Sequence, residues 1–128
     1  MDPKTLLFSP SHEWVQLSGE TATIGISKFA VDQLTDLIMI DLPAVGTTLT
    51  AGKTFGEVES VKAVSDLYAP VGGEVIAVND AVAKNVQLLA DDPYGDGWLL
   101  KLKVSPSLKP DDLLDYETYE KKVAEESH

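Results

Sequence analysis

The sequence predicts a mainly β fold: two small antiparallel sheets related by quasi-twofold symmetry, with a short helix and a C-terminal helix. Three observations carry that prediction. Val/Ile/Thr-rich runs separated by Gly, Pro and Asn dominate the first hundred residues. A gapless internal repeat sets Gly46–Phe55 on Asn79–Leu88 at an offset of 33 residues. Towards the C-terminus the apolar residues change to helical spacing.

Taken in order, His12 to Leu17 reads as a strand, Ser18-Gly19-Glu20 as its turn and Thr21 to Ile26 as the returning strand of a hairpin. Ser27 is placed to N-cap a short helix ending near Leu34, with Phe29 and Ala30 one turn before Gln33 and Leu34. Ile38 to Leu42 is a strand closed by Pro43. Thr54–Ser60 and Val64–Ala69 read as paired strands, and Glu74–Val78 and Trp98–Val104 complete the β-rich part. In the tail, Pro110 sits where a helix N1 proline would, with Asp111 and Asp112 near the positive helix end. Leu113, Tyr116, Tyr119 and Val123 then recur at helical spacing, and Glu117 and Lys121 form an i,i+4 pair. A helix over about 110–125 is expected to pack on the β core.

The repeat is more specific. Gly46 aligns with Asn79 and Gly52 with Asn85, residue types that tolerate positive φ, so the same turns are expected twice. Leu49 aligns with Val82 and Phe55 with Leu88, so the same core positions are expected to be filled twice. Two copies are too few for a solenoid.

Composition narrows the function. At 128 residues the chain suits one domain, residues 1–128. A net charge of −11 repels phosphate backbones and argues against nucleic-acid binding. Cysteine is absent, which excludes disulfides, thiolate metal sites and cysteine nucleophiles. No apolar run is long enough to span a bilayer, so no membrane role is expected. Met1-Asp2-Pro3-Lys4 starts no signal peptide. A cytoplasmic protein is expected, or one of the mitochondrial matrix if a presequence has been removed.

Between the repeat copies, Gly56–Pro70 reads as strand, tight reversal at about Val61-Lys62, then strand. Two-residue hairpin turns normally want Asn or Gly, and a tip of Val-Lys departs from that rule. Three roles for Lys62 compete: a solvated surface lysine, a Schiff-base lysine, and a modification site. The second needs a depressed pKa, whereas Glu57, Glu59 and Asp66 are anionic and act the other way. The third suits a protruding tip, since acylation removes the charge and leaves a flexible stem. Other candidates are weaker. His12 has no histidine cluster around it and reads as structural. Trp14, Trp98 and Tyr94 read as packing residues. Asp91, Asp92 and Asp96 match no EF-hand spacing and fit a Pro93–Gly97 turn better.

The frame Gly46-x-x-Leu49-x-x-Gly52-x-x-Phe55-x-x-Val58-Glu59-Ser60-Val61-Lys62, followed by Ala69-Pro70, resembles lipoyl and biotinyl carrier domains. The longer pattern resembles the H proteins of the glycine cleavage system. Its matching segments are Ser11–Trp14, Thr23–Ile26, Asp41–Gly46, Gly56–Pro70 and Asp92–Leu99, with Asp112–Leu114 and Tyr119 in the tail. The resemblance implies a barrel-sandwich hybrid with a carrier core at about 38–104, and lipoate bound to Lys62 through an amide. It implies a non-catalytic carrier that takes an aminomethyl group from glycine decarboxylase, a pyridoxal-phosphate enzyme, to a tetrahydrofolate-dependent aminomethyltransferase. The reduced arm then goes to the flavoenzyme (FAD) dihydrolipoamide dehydrogenase. It also implies a cleft for the loaded arm lined by Ser11, Glu13 and Asp66, and recognition of Glu59, Val61 and Ala63 by a lipoate ligase or lipoyl transferase. An H-like protein that relays lipoate to 2-oxoacid dehydrogenase carrier domains is the alternative. Biotin is disfavoured, because its usual Met-Lys-Met tip is here Val61-Lys62-Ala63. Thr35 stands where the family often has Gly, and Asn85–Leu89 departs from its usual Pro-containing stretch.

Overall fold

The structure, a computed structural model, describes residues 3–34, 36–105 and 113–126. In chain order its strands are β1 (Leu7–Phe8), β2 (Glu13–Ser18), β3 (Thr21–Ile26), β4 (Leu37–Asp41), β5 (Thr48–Leu49), β6 (Thr54–Ser60), β7 (Val64–Tyr68), β8 (Gly73–Val78), β9 (Leu100–Lys103) and β10 (Leu114–Asp115). The helices are α1 (Lys28–Leu34), α2 (Asp80–Lys84), α3 (Leu88–Asp91) and α4 (Tyr116–Glu126). Two antiparallel sheets form, one in the order β10-β1-β2-β3-β9-β8-β5 and a smaller one in the order β4-β6-β7.

The expected hairpin is present. β2 and β3 pair from Glu13 opposite Ile26 to Ser18 opposite Thr21. That register leaves Gly19-Glu20 as a two-residue turn, and Gly19 takes a φ of +60° at the first central position. Ser27 caps α1 as read from the sequence, its Oγ accepting from the Ala30 N–H at 3.2 Å.

Two cores hold the fold. The larger joins Val15, Ile24, Val75, Leu100 and Leu102 of the large sheet to Ile40, Val58 and Leu67 of the small one. The second is Leu6, Phe8, Trp14 and Tyr119. Trp14 and Val15 are neighbours on β2 yet enter different cores, so this strand is covered on both faces. Gly25 makes room for the first: a Cβ there would lie 2.3 Å from the Trp14 ring. The Trp14 Nε1–H is satisfied by the Pro93 carbonyl at 3.0 Å.

The tail corrects the sequence reading. Pro110, Asp111 and Asp112 lie outside the described residues, and α4 begins at Tyr116 rather than near 110. Leu114 and Asp115 instead pair with Phe8 and Leu7 as an edge strand. The helix cap is Asp115, whose Oδ1 accepts from the Thr118 N–H at 2.8 Å. Hydrogen bonds from the Thr118 side chain and then from its backbone N–H hold the Asp115 carboxyl below its ordinary range.

The repeat is half kept. Leu49 and Val82 are buried, and Phe55 and Leu88 pack on the larger core. The backbones differ, however. Gly46 and Gly52 take φ of +96° and +83°, whereas Asn79 and Asn85 take −81° and −141°. Asn79 uses its side chain to cap α2, accepting from the Ala81 N–H and donating to the carbonyls of Asp96 and Trp98. One copy therefore passes as β5 and the other as a helical turn.

β9 starts at Leu100, not Trp98. Trp98 closes the preceding turn, donating to the Gly95 carbonyl, and the Leu99 N–H donates to the Ile24 carbonyl of β3. That turn also explains the local acids, since Asp92 accepts from the Asp96 N–H with its side chain and from Gly95 and Gly97 with its carbonyl.

Candidate functional site

Lys62 lies at the end of the β6–β7 hairpin, where Glu59 pairs with Val64. The reversal at Val61-Lys62 is where the sequence puts it, and neither residue has positive φ. The turn is closed in another way. The Ser60 N–H donates to the Ala63 carbonyl at 2.8 Å. The buried Ser60 Oγ donates to that carbonyl and accepts from the Ala63 N–H, both at 3.2 Å. A side chain thus takes the place of the missing backbone acceptor, and Val61 is pinned from behind by the Asp36 carbonyl at 3.0 Å. Lys62 and Ala63 are exposed, and Val61 is 71% exposed. Ser60→Ala is expected to destabilise the protein by about 1 kcal/mol, seen as a lower urea midpoint, with faster amide exchange at Ala63.

Beside the hairpin runs a cleft of about 480 Å³, lined by Ser11, His12 and Glu13 on one side, by α1 residues such as Phe29 and Gln33, and by Ser65–Tyr68 of β7. The structure therefore brings Ser11, Glu13 and Asp66 together around one space. Glu13 is 1% exposed. Its Oε1 accepts from the Ser9 Oγ at 2.6 Å and from the Ser11 Oγ, and its Oε2 accepts from the Tyr68 N–H at 3.2 Å. Burial pushes the Glu13 carboxyl above its ordinary range, against the lowering effect of these donors. Asp66 is exposed at the cleft edge. Sequence reasoning missed Ser9, buried and bonded to Glu13, and missed Tyr68, whose backbone reaches Glu13. It also placed His12 in the strand, whereas His12 precedes β2 with a φ of +78°.

Glu59 lies half-buried on β6, flanked in register by Met39 and Val64. The next row on the same face is Asp41, Glu57 and Asp66, in register across β4, β6 and β7 and all exposed. Like charges directly opposite one another weaken strand pairing. Among the described residues no group of three or more His, Asp or Glu side chains is arranged to hold a metal ion. Nor is any helix among them long and apolar enough to cross a membrane.

Two antiparallel sheets share one core in the manner of a barrel-sandwich fold, with a lysine at the end of a hairpin of the smaller sheet. The sequence pattern of the glycine cleavage H-protein family matches residues 6–126. The chain belongs to that family. It is 59% identical over 103 residues to a glycine cleavage system H protein of Thermosynechococcus vestitus, covering 80% of this chain and 81% of that one. A counterpart from Rhodopirellula baltica is 52% identical over 128 residues, covering 97% and 96%. The crystal structure of the Mycobacterium marinum H protein superposes with a TM-score of 0.88 at 35% identity, covering 96% of this chain and 99% of that one. The protein is thus a lipoyl carrier of the glycine cleavage system.

Proposed function

We infer that Lys62 is the residue that bears lipoate, and that the chain does no catalysis of its own. The observation that carries this reading is an exposed lysine on a turn pinned by Ser60, beside a cleft lined on one side by a buried carboxylate. When bound, the lipoyl group would supply a disulfide whose S–S bond is reduced as one sulfur takes the aminomethyl group, and whose dithiol form is reoxidised after transfer. The chain's own residues do the rest. The pinned turn limits motion at the root of the arm, so its reach is set by the stem and not by the loop. β7 runs from Val64 beside the tip to Tyr68 in the cleft, a rise of ~13 Å at ~3.3 Å per residue, which suits an extended arm. Ser9, Ser11 and the Tyr68 N–H orient Glu13, and Asp66 adds a second carboxylate at the rim. A cationic amine held there exchanges water for charge-assisted hydrogen bonds, and the shelter of the cleft slows its hydrolysis.

Glu59, Val61 and Ala63 are the flanking contacts we assign to the modifying enzyme. We assign the whole chain to one carrier unit, since Tyr119 of α4 and Trp14 of β2 share a core. Its partners on this reading are glycine decarboxylase, aminomethyltransferase and dihydrolipoamide dehydrogenase, and the bacterial relatives support a cytoplasmic setting.

The test is intact-protein mass after incubation with lipoate ligase, lipoate and ATP, followed by peptide mapping. One lipoyl mass gain, mapped to Lys62 among the ten lysines, is the expected result. The loaded protein should then support glycine–bicarbonate exchange with glycine decarboxylase. No gain, or a gain on another lysine, defeats the assignment. A lipoylated protein inert in exchange defeats the shuttle and favours lipoate relay.

A further inference from the structure

His12 is the sole non-glycine residue with positive φ among the described residues, at +78°. It stands between Ser11 and Glu13, the polar side of the cleft. A left-handed backbone is costly for a residue with a Cβ and persists where its surroundings impose it. Here the surroundings are specific. The His12 N–H donates to the Ser9 carbonyl at 3.0 Å, and its carbonyl accepts from the Ser27 N–H at 2.9 Å. The ring Nδ1 lies 2.7 Å from the Tyr119 hydroxyl. That hydroxyl is also 2.6 Å from the Oγ of Ser27, which is fully buried and caps α1.

One hydroxyl therefore meets both sides of the cleft: His12 beside Glu13, and the head of α1, which carries Phe29 and Gln33. Tyr119 belongs to neither side. It comes from α4, over a hundred residues away in sequence, and stacks on Phe8 at 4.4 Å with a 10° tilt. We propose that Tyr119 is a positioning residue for the cleft: through its hydroxyl, the seating of α4 fixes His12 and Ser27 and so sets how firmly Glu13 holds the amine. This rests on the cleft being the resting place of the loaded arm. The C-terminal helix is then part of the site without touching the cargo.

Tyr119→Phe removes the hydroxyl and keeps the stacking ring. In the unmodified protein, amide exchange at His12, Glu13 and the first turn of α1 is expected to quicken about tenfold, with the β6–β7 amides unchanged. Uniform acceleration across all amides, or none anywhere, overturns the positioning role. The second arm uses lipoylated, reduced protein loaded with formaldehyde and ammonium, a condensation that forms the thioaminal carbon–sulfur bond and releases water. Hydrolysis returns formaldehyde, ammonium and the thiol. Formaldehyde release is expected to be several-fold faster from Tyr119→Phe than from wild type, with an equal lipoylation yield. His12→Asn, which tolerates the left-handed backbone but lacks the imidazole, should release faster as well. Equal release from wild type and both variants overturns the proposal while leaving the cleft reading intact. Release from wild type as fast as from free dihydrolipoamide overturns the cleft reading and, with it, the link to amine retention.

Discussion

Lys62→Arg is expected to abolish lipoyl attachment completely while leaving the fold as it is. Arginine keeps the positive charge and a stem of similar length, but its guanidinium stays protonated and offers no nucleophilic amine for acyl transfer. The tip is exposed, and its turn is held by Ser60 and Ala63 rather than by the side chain of residue 62. The change in stability should thus stay within about 0.5 kcal/mol, as for other surface substitutions. Intact mass after treatment with ligase, lipoate and ATP reads the first expectation, and a urea melt reads the second. A lipoyl mass gain on Lys62→Arg equal to that of wild type would remove Lys62 from the function altogether.

Glu13→Gln separates the cleft's chemistry from its architecture. The substitution keeps the shape of the carboxylate and removes its charge, and the Ser9 and Ser11 hydroxyls can accept as well as donate, so the amide can be satisfied. Since burial raises the folded-state pKa of Glu13, the folded chain holds this proton more tightly than the unfolded one. The stability contributed by that difference is present below the ordinary carboxylate range and is lost as pH rises through the raised value. Glutamine has no such loss, so the urea midpoint of the variant should equal or exceed that of wild type near pH 8. Its hold on a cationic amine should fall, because a hydrogen bond to a charged group contributes about 1.5–3 kcal/mol. That corresponds to roughly ten- to hundredfold faster formaldehyde release from the loaded protein. A variant that is destabilised at pH 8, or that retains its cargo as wild type does, contradicts the assignment of Glu13 as the amine's counter-ion.

Both predictions start from residues legible in the sequence, but to different depths. The tip was readable because Val61-Lys62 breaks the turn rule between two clear strands, and the structure shows Ser60 closing that turn instead. The β2–β3 hairpin was readable because Gly19 stands where a two-residue turn needs it. The burial of Glu13 was not readable. Alternation along a strand assumes one dry face, whereas β2 lies between two cores, one receiving Trp14 and the other Val15. The start of α4 was misplaced because Pro110 and its aspartates form a convincing N-terminus on local grounds. The edge pairing of Leu114–Asp115 with Leu7–Phe8 is a long-range contact that no local signal reports. Asn79 was misread for a related reason: the same residue type serves left-handed turns and helix caps, and here Asp80 and Lys84 at the two ends of α2 were the cue for a cap. His12 was read as structural, but its left-handed backbone was not legible, since the contacts around it, to Ser9, Ser27 and Tyr119, are made by the fold and not by its immediate sequence pattern.

The row of Asp41, Glu57 and Asp66 across the small sheet has one more consequence. These side chains stand ~5 Å apart across paired strands, so their repulsion is built into the hairpin that carries Lys62 and opposes the pairing that supports it. Ionic strength then becomes a control on the carrier. Between about 0.01 M electrolyte, where the screening length is about 30 Å, and about 1 M, where it is about 3 Å, the urea midpoint should climb. A chain with a net charge of −11 should over the same range lose whatever attraction speeds its encounters with basic surfaces. Electrolyte would thus make the hairpin sturdier and the carrier slower to find its enzymes.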